Sequence, residues 1–154
     1  MSSSAELTLR QETELEPEDV KRLGRSCMCT GRKSGQNRTS GSFKTEGMLI
    51  VPCSMKTIAG IHSGYADNLI LRAADVTVKE QRTLVLAARE TPLSGIHLRN
   101  LYELSMLPGV RIIPPMMTFY HKPESIDDMV YHIAAKLLEP FGIEAKEYRR
   151  WNGL

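Results

Sequence analysis

Three polar segments of this 154-residue sequence each follow directly on a short apolar run, and each carries groups able to hold an anion. Cys53-Ser54-Met55-Lys56-Thr57 follows GMLIVP, Arg89-Glu90-Thr91-Pro92 follows TLVLAA, and PPMMTFYH (114–121) follows VRII. The sequence after Ser54, MKTIAGIH, has helical character. A helix that starts straight after a strand exposes unpaired backbone N–H groups, and these suit a phosphate. If the apolar runs are parallel strands, all three segments lie along one rim, beyond the strand carboxyl ends where ligands bind in such sheets. A helix start, an Arg–Glu pair and Tyr120 on that rim favour a phosphorylated ligand. Plainer roles remain open for the same residues. Ser54 serves equally as a helix N-cap. Arg72, Lys79 and Glu80 suit a solvated helix face, with Lys79 and Arg82 favouring the helix C-terminus. Tyr120 beside Phe119 suits a core or an interface.

Sharper motifs are excluded by spacing. No GxGxxG occurs, and the glycines at 24, 31, 35 and 41 neither form GxxxxGK[ST] nor follow a strand. Cys27-Met-Cys29 is too tight for the usual zinc pair. His62, His97, His121 and His132 are scattered, and none is read as a metal ligand. Cys53 ends a strand beside a helix start, where a thiolate could gain stability, yet no base accompanies it, so a buried structural thiol is the expectation.

The elements that must position these groups follow from patterning. The acidic N-terminus, with no apolar h-region, is neither a secretory nor a basic transit signal. It reads as a helix-forming arm. Seven basic residues and no acidic ones lie between Lys21 and Lys44, in a stretch rich in Gly and Ser. With only Phe43 for base stacking, it reads as an irregular linker over 24–42 rather than a nucleic-acid surface. From Gly47 onward apolar strands (47–52, 83–88, 110–114) alternate with helices starting at Ser54, Asp67, Ser94 and Ser125, the last stopping near Gly142. Leu69, Ala73 and Val76 follow helical spacing within the second of these helices. This order predicts an α/β domain over 1–154 with a parallel sheet covered on both faces. With no apolar run long enough to span a bilayer and three cysteines, a cytoplasmic setting is the simplest reading.

The stretch SGSFKTEGMLIVPCSMKTIAGIHSGYADNLILRAADVTVKEQRTLVLAARETPLSGIHLRN closely resembles the UbiX-type flavin prenyltransferases, also found as the small subunit beside hydroxyaryl-acid decarboxylases. AELTLRQET, PPMMTFYHKPESIDDMV and RRWNGL continue the likeness. The resemblance implies a three-layer, Rossmann- or flavodoxin-like doubly wound sheet. It also implies a metal-independent reaction that joins the dimethylallyl group of dimethylallyl phosphate to N5 and C6 of reduced FMN. The prenylated FMN would serve a UbiD-type decarboxylase, and the enzyme would be a homo-oligomer, a dodecamer, with neither nucleic acid nor membrane as partner. By resemblance Ser54, Met55, Lys56, Thr57 and Arg89 match FMN-contacting positions, with Ser2 a further flavin-contacting serine. Tyr120 and Lys136 match positions that hold the donor phosphate. Glu12, Arg72, Lys79, Glu90 and Trp151 match other active-site positions.

The residue types suit that chemistry. Lys79, Arg89, Lys136 and Tyr120 offer cations and a hydroxyl to a departing phosphate. Trp151 suits an allylic cation. Glu12 and Glu90 suit removal of the flavin C6 proton. Departures from the family pattern also stand out. The family's first strand, Gly-Ala-Ser-Gly-type loop and helix have no counterpart ahead of Ser2, so the chain reads as N-terminally truncated. RSCMCTGRKSGQNRT (25–39) replaces a helical segment, and Lys136 stands where arginine is usual. Two other readings stay open, a truncated subunit without activity and a flavin-binding aromatic-acid decarboxylase component.

Overall fold

The computed structural model describes residues 3–23, 44–146 and 148. The linker expected over 24–42 lies wholly outside them, as do Ser2 and Trp151. The N-terminal arm forms two helices, α1 (Ser3–Glu12) and α2 (Pro17–Leu23). Pro17 opens the second, where its missing N–H costs nothing and its fixed φ suits the first turn. Arg10 pairs with Glu16 across the junction at 3.4 Å.

The body is a three-stranded parallel sheet in the order β1-β2-β3, with β1 at Gly47–Cys53, β2 at Thr83–Ala88 and β3 at Val110–Ile112. Helices α3 (Met55–His62), α4 (Leu69–Lys79), α5 (Gly95–Ser105) and α6 (Ile126–Leu138) connect or follow the strands. The α/β order and parallel pairing match the reading of the sequence.

β2 explains the layers. Leu84, Val85, Leu86 and Ala87 have no accessible surface. Successive strand side chains point to opposite faces. Leu84, Leu86 and Ala88 therefore join Ile50, Ile58, Ala74 and Leu104 in one core, built with α3, α4 and α5. Val85 and Ala87 join Leu137, Ile133 and Phe141 on the other face. Both faces of the sheet are covered, as a parallel sheet requires.

Local chemistry sets the boundaries. Ser94 and Ser125 cap α5 and α6 as expected. The cap of α4 is Asn68, not Asp67. Asn68 Oδ1 accepts from Leu71 N at 3.0 Å, while Asp67 Oδ1 accepts the Asn68 amide N–H at 2.8 Å. The carboxylate thus orients the amide, leaving its oxygen for the backbone. Leu69, Ala73 and Val76 lie in one α-helix as their spacing indicates, and the buried positions of α4 are Leu71, Ala74, Val76 and Thr77. The last α-helix ends at Leu138, and a 3₁₀ turn, Glu139–Phe141, completes it. Pro140 has no N–H with which to continue the α pattern. Gly142 follows in the left-handed region at φ 70°, the usual glycine stop. Among the described residues, no helix is long and apolar enough to cross a membrane.

Gly47 fixes the start of the β1–β2 register opposite Thr83. A Cβ there would lie 2.3 Å from the Thr83 carbonyl oxygen and 2.7 Å from a Phe141 ring carbon. Neither a ladder carbonyl nor a wedged ring can yield cheaply. Gly47→Ala should therefore lower unfolding free energy by about 1–3 kcal/mol, the usual cost of overpacking, measured by urea titration. An unchanged midpoint would mean that the strand end shifts freely.

Candidate functional site

The three strands end at one edge, and a hydrogen bond from Arg89 N to the Cys53 carbonyl, 3.1 Å, joins the ends of β1 and β2. Ser54 follows in extended conformation and its Oγ accepts from Thr57 N at 3.4 Å, with Thr57 Oγ1 3.3 Å away. Ser54 is an N-cap, then, and one that leaves the first amides of α3 without acceptors in the helix. Met55 turns its side chain into the core, so only its backbone faces the rim. Lys56 and Arg89 are exposed, and neither side chain has a hydrogen bond or ion pair among the described residues. Beside them Glu90 accepts the Thr91 N–H at 3.1 Å. The edge therefore presents open amides, two unpaired cations and a carboxylate, a combination that attracts an anion and offers a proton acceptor next to it.

Cys53 is fully buried, and burial pushes its thiol up to about 12. It remains a neutral thiol, as expected for a structural cysteine.

A second cluster forms around α6. Tyr120, on the loop after β3, has its hydroxyl 3.0 Å from His132 Nε2. The rings of His121 and His132 stack with centroids 4.2 Å apart and planes inclined by 6°. Tyr148 closes over His132 at 4.9 Å. His121 Nδ1 lies 3.3 Å from Thr118 Oγ1, and its buried Nε2 has no hydrogen-bond partner among the described residues. Burial above all, then the neighbouring His121 and Lys136, hold His132 below the ordinary histidine value. Lys136, one turn further on, bonds Glu139 at 2.7 Å. That bond, followed by the carboxylate's charge and the phenols of Tyr148 and Tyr120, raises its ammonium pKa against the opposing effect of burial. Tyr120 and Lys136 thus belong to one electrostatic neighbourhood. A cavity of about 270 Å³ opens there between His121, Asp127, Tyr131, His132 and Tyr148.

The remaining sequence candidates sit elsewhere. Arg72 pairs with Asp75 at 2.8 Å and Lys79 with Glu80 at 3.4 Å, both on exposed α4 surface. Lys79 ends α4 shortly before Thr83 begins β2, so it lies at the edge of the sheet opposite Ser54 and Arg89. Glu12 closes α1. No hydrogen bond or ion pair among the described residues links the Ser54–Arg89 edge to Tyr120 and Lys136. Nor does any group of three His, Cys, Asp or Glu among those residues stand where it could hold a metal ion.

The family model described as Flavoprotein matches residues 27–138. A relative in Streptomyces sp. (strain D7), named probable UbiX-like flavin prenyltransferase, is 48% identical over the whole chain, which spans 76% of that protein. The dodecameric FMN-dependent UbiX-like decarboxylase of Escherichia coli O157:H7 superposes with a TM-score of 0.91 at 49% identity, covering 99% of this chain and 82% of that one. The crystal structure of AnUbiX in complex with FMN and dimethylallyl pyrophosphate gives a TM-score of 0.92 at 45% identity, covering 100% and 81%. The chain belongs to the UbiX-like flavin prenyltransferases.

Within this UbiX-like chain, the sequence order made the Ser54, Arg89 and Glu90 edge legible, since all three follow strands. The histidine stack was not. His121 and His132 are eleven positions apart on a loop and a helix, and only the loop's path back along α6 brings them together. A weak signal existed: His132 precedes Lys136 by one helical turn, which puts both on one face.

The depressed His132 has a consequence for stability. It takes up its proton more readily when unfolded, so its contribution is complete above the ordinary value of 6.5 and is lost as pH falls below it. Urea midpoints should drop on moving from pH 7.5 towards pH 5, and His132→Gln should flatten part of that drop. An identical pH profile in the variant would assign the loss to other groups.

Proposed function

We propose that this chain, a single flavoprotein domain, binds reduced FMN at the carboxyl edge of its sheet and transfers to it the dimethylallyl group of dimethylallyl phosphate. The product is prenylated FMN for a UbiD-type decarboxylase, with the cytoplasm as its compartment. The observation that carries this reading is the pair Lys56 and Arg89, exposed and unpaired among the described residues, beside the open amides that follow Ser54. Cations left without a carboxylate next to a helix start suit the anionic part of a flavin nucleotide. That the related AnUbiX was solved with FMN and dimethylallyl pyrophosphate supports the pairing of ligands.

The residues then divide the work. Ser54, Met55 (through its backbone), Lys56, Thr57 and Arg89 hold the flavin, and Ser2 is a further flavin-contacting residue in this reading. Tyr120 and Lys136 hold the donor phosphate, and their charge and hydroxyl stabilise it as it leaves. N5 of the flavin takes the allylic carbon and gives up its proton as the carbon–oxygen bond to phosphate breaks. The prenyl double bond then takes a proton at its inner carbon, and C6 bonds to the far carbon and loses its own proton. Glu90 is the acceptor for that proton, with Glu12 as the second carboxylate. Trp151 shields the allylic cation. No metal is needed, because cationic side chains neutralise the phosphate.

Arg72 and Lys79 reach a site in this reading only from another copy, because Lys79 lies at the far edge of its own sheet. A homo-oligomer, a dodecamer as in the Escherichia coli relative, supplies that copy. The exposed Met116, Met117, Phe119 and Ile126, each at least 64% accessible, provide apolar surface for such contacts.

Incubating the protein with FMN, a reductant and dimethylallyl phosphate should release inorganic phosphate and yield a flavin heavier by one five-carbon unit. Release of carbon dioxide from an aromatic acid, with the donor untouched, would instead support the decarboxylase reading. Arg89→Met should weaken FMN binding about 10- to 100-fold, the worth of a charged hydrogen bond, in a flavin fluorescence titration. Glu90→Gln should leave FMN affinity intact and slow closure at C6. Full-rate closure in that variant would remove Glu90 as the base.

A further inference from the structure

We propose that His132 is a positioning residue that donates its Nε2–H to the Tyr120 phenol oxygen and thereby aims the Tyr120 hydroxyl at the donor phosphate. The inference rests on the reading of Tyr120 as a phosphate-holding residue. It adds the question of what orients that hydroxyl.

Tyr120 stands on the segment between β3 and α6, where no strand or helix fixes it, and its side chain is half exposed. Among the described residues its one polar contact is with His132 Nε2 at 3.0 Å. A phenol has a single proton to give. If that proton goes to a bare Nε2, nothing remains for a phosphate oxygen, which only accepts. If Nε2 carries the proton, the imidazole donates to the phenol oxygen, and the hydroxyl proton is turned outward. The two arrangements share one geometry and differ in histidine tautomer. Only the second serves a phosphate.

The surroundings favour a fixed, neutral ring that can take this role. His132 is 7% exposed and grows from α6, so its backbone is rigid. His121 lies parallel to it at 4.2 Å and Tyr148 covers it at 4.9 Å, which sets the plane of the imidazole. The Tyr120 ring meets both histidines edge-on at 5.6 Å. Lys136 and the second imidazole on one side oppose a charge on His132, while Asp127 and Asp128 line the cavity mouth. A neutral Nε2–H tautomer satisfies these demands and still donates.

The experiment uses the FMN-loaded full chain and titrates dimethylallyl phosphate by calorimetry. In His132→Leu the donor Kd should rise about 3- to 10-fold, the worth of one hydrogen bond, with FMN affinity unchanged and donor KM raised more than kcat is lowered. His132→Gln, whose side-chain N–H can reach the same oxygen, should stay within about twofold of wild type. In a Tyr120→Phe background His132→Leu should add nothing, because the group it orients is gone. Imidazole ¹⁵N spectra of the wild-type protein with donor bound should show Nε2 protonated and Nδ1 bare, a readout that needs no variant. An additive loss in the double variant, or a bare Nε2 in the complex, overturns the proposal. Donor binding that is unaffected by Tyr120→Phe would sink the functional reading of Tyr120 instead, and the proposal with it.

Discussion

The complete burial of β2 is the constraint from which the rest of the structure follows. Four consecutive residues of this strand, Leu84 to Ala87, have no contact with solvent. Their side chains alternate between two cores, so the strand needs helices on both faces and neighbours on both edges. Parallel neighbours in turn require crossovers, and each strand must leave the sheet at the same edge before a helix carries the chain back. The loops holding Ser54, Arg89 and Tyr120 start from one edge for that reason. Their chemistry depends on an apolar strand that contains none of it.

What each loop does on leaving the sheet is then decided by small local bonds. After β1 the chain enters α3 at once, and Ser54 uses its oxygen on Thr57 N, which leaves earlier amides open. After β2 the backbone of Arg89 turns back to the Cys53 carbonyl, so the two strand ends are held together while the guanidinium stays outside. After β3 the ladder continues by one further bond, from Ile113 N to Leu86 O at 3.0 Å. The chain then runs for a dozen residues without strand or helix. The first two strand ends are therefore held by a cap and a backbone bond. The third runs on without strand or helix, and its tyrosine is held by a side-chain bond to His132.

This difference also explains which parts were legible in the amino-acid sequence. Apolar runs of strand length, serine caps and the stop near Gly142 are local signals, and the elements they mark lie where expected. Asn68 displaced Asp67 as a cap because the helix starts one residue later, a shift below the resolution of pattern reading. The helical spacing of Leu69, Ala73 and Val76 was legible, whereas which positions of α4 are buried is selected only by the packed sheet. The His121–His132 stack depends on the route of a loop with no periodicity, and no spacing rule reports such a route. Within one chain α4 runs from one edge of the sheet to the other and separates Lys79 from Arg89, a distance that residue types alone do not report.

At the proposed donor site, an ammonium at Lys136 in place of a forked guanidinium would sharpen the need for Tyr120. A guanidinium binds phosphate through two parallel bonds and so fixes its orientation as well as its charge. An ammonium on a flexible stem supplies charge with little direction. Here Lys136 is further committed to Glu139 at 2.7 Å, so a phosphate bound as proposed would compete with a carboxylate for it. Both side chains are partly exposed, which keeps that ion pair weak and exchangeable. Under that proposal orientation would come from a neutral, directional donor, and Tyr120 stands in the same electrostatic neighbourhood as Lys136. A hydroxyl free to rotate would surrender the advantage, which makes its hold on the buried His132 the geometric complement to the lysine.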